Sequence, residues 1–234
     1  MPYDQDDLTQ YYTRFHDDTN IPEQHIAYLR TLRDELGIYP KVIYDIGAAV
    51  LHWYKNAREI WPEAQIFVFD AVRELAPFYA AKNVPHSIDV FSDTVGRELT
   101  FYCHPIYLGG NSYYKESEEY SAAAANIYTP ETAETRITNT IDNVVAQNQW
   151  PAPDFVKLDV QGAELDILHG MPTALQTVQH LIVELQHVQY NLGAKLVDDA
   201  LPVIGQLGFT LVQRGVNPYL CGNGPDADYH FSRT

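Results

Sequence analysis

The chain has 234 residues, 46% of them hydrophobic and 20% charged, which is enough for one sizeable core and short for two enzyme domains. Thirty-one acidic against 15 basic residues give a formal net charge of -16, which repels a phosphate backbone and argues against duplex DNA or long RNA as a partner. No window approaches the ~18 apolar residues of a membrane span, and the opening MPYDQDDLTQYY lacks the basic and apolar regions of a signal peptide, so a soluble, cytoplasmic protein with no membrane partner is expected.

Residues 1–39 read as a helical extension, because Ile26, Leu29, Leu32 and Leu36 recur at helical spacing, Gly37 terminates the run, and Asn20 and Glu23 are spaced as a capping box around Pro22. The main domain is expected over 40–234. It opens with a strand at Lys41 to Ile46 that ends at Gly47. An amphipathic helix carrying Val50, Trp53, Tyr54, Ala57, Ile60 and Trp61 on one face follows, and Pro62 stops it. A second strand, Ile66 to Phe69, ends in Asp70; a helix from Arg73 to Lys82 and a strand from Ile88 to Phe91 come next. This βαβαβ order implies parallel strands with right-handed crossovers.

From about 96 to 140 the pattern loosens, and apart from a strand at Glu98 to Cys103 the stretch reads as an inserted loop suited to substrate contacts. Cys103 and Cys221 stand far apart in no CxxC arrangement, so reduced thiols are expected rather than a disulfide or a cysteine zinc site. Alternation resumes with a strand at Phe155 to Val160, a helix at Ala163 to His169 closed by Gly170, and a strand at Leu181 to Leu185. A helix from Leu196 to Leu207 is expected to be kinked or shortened by Pro202, and final strands at Phe209 to Gln213 and Tyr229 to Ser232 can pair antiparallel across the turn-rich stretch NPYLCGNGPDAD.

The chemistry concentrates at strand ends, where open parallel sheets bind small molecules. Asp45-Ile46-Gly47-Ala48 puts a glycine where backbone must approach a ligand closely, and Asp70, at the end of the next strand, is placed to accept bonds from the two hydroxyls of a ribose. Ser92-Asp93, after the third strand, is positioned for an adenine edge. A dinucleotide's pyrophosphate calls for G-x-G-x-x-G, whereas the run here is GAAVLH; S-adenosylmethionine, with a sulfonium and no phosphate, suits a glycine-poor turn flanked by acids. Lys157 and Asp159 lie two apart on one side of a core strand, where charged groups are costly to bury unless paired or serving a ligand, and Glu184-Leu185-Gln186-His187 sets polar groups at the same edge.

These motifs resemble the FkbM-type methyltransferases of the class I S-adenosylmethionine-dependent fold. The resemblance covers about 40–213 and rests on DIGA, SDTVG, TIDN at 140–143, VKLDVQGAELDILHG at 156–170 and VELQH at 183–187. It implies a Rossmann-like, mostly parallel seven-stranded sheet with an antiparallel final strand, a cofactor site lined by Asp45, Gly47, Asp70 and Asp159, and O-methylation of a hydroxyl on a small molecule or carbohydrate. The family commonly has Asn after DIGA and a second glycine soon after; here Ala49 and Leu51 stand instead.

Methyl transfer from a sulfonium needs chiefly alignment of the acceptor oxygen, helped by a base when the acceptor is an alcohol. Asp159, Glu184 and His187 are the candidates, with His52 and His104 as further histidines; the first three can alternatively hold a divalent ion, although no metal is required. Two other readings stay open: a nicotinamide-dependent oxidoreductase on the same kind of sheet, and a non-catalytic nucleoside-binding scaffold.

Overall fold

The structure, a computed structural model, describes residues 21–104, 108–215 and 224–233. Helix α1 (Glu23–Asp34) buries Leu29 and Leu32 on one face and starts at Pro22 without a side-chain cap; Asn20 of the expected capping box lies outside the described residues. Then come β1 (Val42–Ile46), α2 (His52–Ile60), β2 (Gln65–Asp70), α3 (Leu75–Ala81) and β3 (His86–Ile88), the βαβαβ order read from the pattern. The strand expected at 88–91 is split at Asp89: β3 pairs with β2, whereas β4 (Val90–Phe91) turns away into another sheet.

That second sheet takes up part of the stretch expected to be loop. β5 (Glu98–Tyr102) pairs antiparallel with β6 (Ala133–Asn139), which pairs parallel with β4, and the alanine run forms a short helix, α4 (Ala124–Ile127). Strand β6 escaped the hydrophobic pattern because its inward residues are polar: Arg136 and Thr138 are buried between exposed neighbours, and the Arg136 guanidinium lies over the Phe101 ring.

Helix α5 (Ile141–Asn148), capped by the Thr140 hydroxyl accepting from Asn143 N at 3.2 Å, leads into β7 (Phe155–Leu158), α6 (Glu164–His169) and β8 (His180–Gln186). α7 (Val197–Gln206) runs through Pro202, and β9 (Phe209–Arg214) and β10 (Asp226–Arg233) complete the described chain. Cys103 is buried as a free thiol, while Cys221 and residues 217–223 of the last turn lie outside the described residues.

The main sheet has the order β3-β2-β1-β7-β8-β10-β9, parallel throughout except for β10, which runs antiparallel to both neighbours. This is the Rossmann-like class I arrangement. Period-two alternation splits each strand between two cores. Tyr44, Ile46, Val156, Leu158, Val183 and Leu185 face α5, α6 and α7; Ile43, Phe155 and Ile182 face α1 and α2 with Leu29, Leu32, Trp53, Ala57 and Ile60. The α1–α2 face therefore also receives Asp45, Lys157 and Glu184, the next residues of that parity toward the carboxyl edge. Among the described residues, no helix is long and apolar enough to cross a membrane.

Candidate active site

At the carboxyl edge of β1 the chain turns sharply. Gly47 has φ +84°, and a Cβ there would fall 1.7 Å from the Asp159 carbonyl oxygen, so only glycine lets the tips of β1 and β7 meet. The turn stays left-handed at Ala49 (φ +44°) and Leu51 (φ +68°), the two places where the resemblance implies Asn and Gly. Those residue types accept this conformation readily; alanine and leucine adopt it at about 1–2 kcal/mol each. Leu51 offsets its strain by full burial against a cluster that includes Val68, Leu75 and Tyr79.

Asp70 closes the corner from β2. Its Oδ2 accepts from Ala49 N at 2.8 Å and its Oδ1 from Val72 N at 2.9 Å, so the carboxylate ties the turn to its own strand end. Tyr79 donates to the Ala49 carbonyl at 2.6 Å and lies 3.4 Å from the same Oδ2. Burial raises the Asp70 pKa above the ordinary range, and the bonds from Val72, Ala49 and Ala71 oppose that rise.

The corner opens into a cavity of about 310 Å³, within the range of small-molecule pockets. Gly47, Ala48, Ala49, Asp70, Ala71 and Val72 form one wall, with Val90 and Phe91 beside them. Gly109, Asn111, Ser112 and Tyr113 come from the segment after β5. Lys157, Asp159, Gln161, Glu184 and Asp228 supply a polar floor, and Ile21, Pro22 and His25 bring the start of α1 to the rim.

On that floor Lys157, 3% exposed, sits between two carboxylates, 2.9 Å from Asp228 Oδ1 and 3.2 Å from Asp159 Oδ2. Burial disfavours the ammonium, but Asp159, Asp228 and Glu184 outweigh it and hold the lysine charged well above its ordinary range. Glu184 accepts from Gln161 Nε2 at 3.1 Å; burial and the neighbouring acids Asp159, Asp226 and Asp228 raise its pKa well above normal, which favours the protonated carboxyl. Asp45, paired in register with Lys157, is 1% exposed and, among the described residues, its Oδ2 has no hydrogen-bond partner; burial pushes its pKa up to about 7.

The residues singled out from sequence thus fall into two groups. Gly47, Ala48, Asp70, Asp159 and Glu184 line the cavity. Asp45 lies beneath the lining, and Ser92, fully buried, holds Asp93 and Arg97 rather than facing the opening. His187 is turned toward the last strand, with Nε2 2.8 Å from the Tyr229 hydroxyl, and is not among the lining residues. His52 does line the cavity, whereas His104 does not.

The sequence reading missed His25, Trp53's polar edge and Asp228. His25, 2% exposed, approaches Asp228 Oδ2 through Nδ1 at 3.1 Å and receives the Trp53 indole N–H on Nε2 at 3.2 Å. Asp228 faces Glu184 in the β8–β10 register, a pairing that only the length of β10 reveals. The available signal is the alternation of Asp226 and Asp228, at the end of the turn-rich stretch, with His230 in the strand that follows.

An open α/β sheet with a glycine corner, a strand-end acid and a polar cavity floor at its carboxyl edge is the arrangement in which such sheets bind small molecules. The sequence matches the family model described as Methyltransferase FkbM domain over residues 15–211, and the chain belongs to that methyltransferase family. It is 48% identical over 44 residues to the hexuronic acid methyltransferase AglP of Haloferax volcanii, a match covering 19% of this chain and 18% of that protein. Similar solved structures include an O-methyltransferase family protein from Burkholderia thailandensis (8% identity, TM-score 0.46), which covers 89% of this chain and 55% of that one. A precorrin-6y C5,15-methyltransferase from Geobacter metallireducens shows 11% identity and a TM-score of 0.48, covering 92% of this chain and 90% of that one.

Proposed function

We propose that the chain transfers the methyl group of S-adenosylmethionine to a hydroxyl oxygen of a small molecule or carbohydrate. The observation that carries this reading is the corner formed by Gly47 and Asp70 on the cavity wall, with Asp159, whose backbone packs against Gly47, also lining the cavity. Asp70 Oδ1 accepts from Val72 N, and Oδ2 accepts from Ala49 N with the Tyr79 hydroxyl 3.4 Å away, so the carboxylate is held fixed at the cavity wall, where an acid suits the hydroxyls of a ribose. Ala71, Val72, Val90 and Phe91 give an apolar flank suited to a purine. The acids on the floor suit a cationic donor better than a pyrophosphate.

When bound, S-adenosylmethionine supplies an already activated methyl group, so the protein's task is alignment and removal of the acceptor's proton. We assign the proton-accepting role to Asp159: its side chain is 38% exposed to the cavity, and Lys157 anchors one of its oxygens. Glu184, held toward the protonated form, acts as a hydrogen-bond donor to the acceptor rather than as a second base. His187 is assigned no direct contact. The partial match to a protein named for hexuronic acid supports a carbohydrate acceptor.

Isothermal calorimetry tests the donor: S-adenosylhomocysteine is expected to bind saturably, NAD and NADP not at all, and Asp70→Ala to weaken binding at least tenfold. Binding of NAD without S-adenosylhomocysteine overturns the reading. Transfer of labelled methyl from S-adenosylmethionine to a panel of glycosides and uronic acids, abolished in Asp159→Asn, tests the acceptor and the base.

A further inference from the structure

Helix α1 lies outside the sequence motifs, yet its first turn reaches the cavity floor through a chain of buried polar contacts. From the indole N–H of Trp53 the chain passes to His25 Nε2, from His25 Nδ1 to Asp228 Oδ2, from Asp228 Oδ1 to Lys157 Nζ, and from Lys157 Nζ to Asp159 Oδ2. We propose that His25 is a positioning residue of the active site, fixing Asp228 as the counterion of Lys157 and thereby holding Asp159 in place at the cavity. The inference rests on the reading of this cavity as the methyl-transfer site.

The direction of each bond follows from the donors available. An indole N–H can only donate, so His25 Nε2 accepts, and the ring carries its hydrogen on Nδ1, facing Asp228. His25 therefore joins the chain as a neutral donor. Asp228 then has one partner for each oxygen, the His25 ring nitrogen at Oδ2 and, at Oδ1, the Lys157 ammonium as an ion pair. Its pKa lies well below the usual carboxylate range: burial pushes it up, but Lys157 and His25 more than reverse that.

Attachment of the helix does not call for this chain. Leu29 and Leu32 are fully buried against the sheet, and Tyr28 forms a separate bond to His230 Nδ1 at 2.7 Å. A buried ionic link can often be replaced by apolar residues of similar volume without loss of stability, so packing alone gives no reason for a histidine at 25. What the chain does accomplish is selective. All four line the cavity, but His25, Lys157 and Asp228 have side chains only 2%, 4% and 12% exposed, and Asp159, at 38%, is the most accessible of them.

The groups facing Asp228 are Lys157 and Asp159 from β7 and its extension, Glu184 across the β8 register, Asp226 on its own strand and His25 on α1. Apart from Lys157 and His25, all are acids. Loss of the Nδ1 donor therefore drives Asp228 toward protonation, removes a counterion from Lys157, and makes the floor one charge more positive.

Carboxyl-carbon NMR of aspartate-labelled, ligand-free protein tests this directly. Wild-type Asp228 is expected to stay ionised from pH 4.5 to 8, and in His25→Leu to titrate inside that window. His25→Asn, whose amide nitrogen replaces Nδ1, restores the wild-type behaviour. If His25→Leu does not fold, His25→Gln serves, because its amide reaches the Nε2 position and leaves Asp228 without its donor. In a second measurement at pH 6, the preference for S-adenosylmethionine over the uncharged-sulfur S-adenosylhomocysteine should fall about tenfold in His25→Leu or His25→Gln and stay unchanged in His25→Asn. A purely structural role would lower both affinities alike. The proposal is overturned if Asp228 remains ionised in the variants lacking the donor, or if His25→Asn behaves as they do. Failure of wild-type protein to bind either ligand would instead sink the methyl-transfer reading and leave the NMR result to stand or fall separately.

Discussion

Gly47→Ala adds a single methyl where the fold has no room for one. The new Cβ would lie 1.7 Å from the Asp159 carbonyl oxygen, 2.7 Å from its carbon and 3.1 Å from Val160 Cγ1. The first two are backbone atoms, and Asp159 N donates to the Ile46 carbonyl at 3.0 Å, so the strand tips must part by roughly 1.5 Å to restore ordinary contact. Parting them endangers that bond and the one from Gly47 N to the Phe69 carbonyl at 2.8 Å. Two buried bonds at about 1–2 kcal/mol each, with about 1 kcal/mol for a left-handed alanine, give a loss of about 3–5 kcal/mol. For a chain of this size that corresponds to a thermal midpoint lowered by roughly 10 °C, measurable by circular dichroism. Gly96→Ala is the control, because φ is +85° there but nothing lies within 4 Å of a Cβ, so only the strain of about 1 kcal/mol should appear. Equal midpoints for the two variants, with S-adenosylhomocysteine binding intact in Gly47→Ala, would refute the close approach of the strands.

Ala49→Asn should stabilise the protein by about 1 kcal/mol, since asparagine tolerates the left-handed backbone; a lower urea midpoint would contradict the strain assigned to that position. Lys157→Met should destabilise by about 3–5 kcal/mol because it leaves Asp228 buried without its cation, and adding Asp228→Asn should recover part of the loss in urea unfolding. Stability should fall as pH rises from about 5 to about 7.5 and then level off. Burial pushes Asp45 and Glu164 up to about 7, so between the ordinary carboxylate range and that value the folded chain holds protons that the unfolded chain has released. Below about 6.5 His230 offsets part of this slope, because burial holds it neutral down to about 3 while the unfolded chain takes up a proton. Asp45→Asn should flatten the fall between about 5 and 7.5, as read from thermal midpoints; an unchanged slope would show that Asp45 is ionised throughout.

The main sheet was legible because its strands are buried on both faces and its helices carry apolar stripes, so run length and period separate them cleanly. Gly170 illustrates a reading that was right for a partial reason. It does close α6, but a Cβ there would also fall 2.0 Å from the Ser92 carbonyl, a contact between distant segments that no local pattern contains. The second sheet was less legible. Its strand β6 turns a buried arginine and threonine inward, and β4 has only two residues, so neither leaves a periodic apolar signature.

The same distinction governs the site. Asp45, Gly47, Asp70 and Asp159 stand at ends of parallel strands, where topology alone brings them to one edge. His25 and Asp228 reach that edge through the docking of a helix and the register of an antiparallel strand, which depend on packing across the molecule. Ala49 and Leu51 connect the two levels. From sequence they were departures from the family pattern, but the backbone at both keeps the left-handed path that Asn and Gly would favour. Here that path is held by the Asp70 carboxylate and the Tyr79 hydroxyl, which bind the Ala49 peptide, and by the buried Leu51 side chain, which anchors the start of α2. The departures therefore bear first on the stability of the turn, and the amides of the corner keep their course.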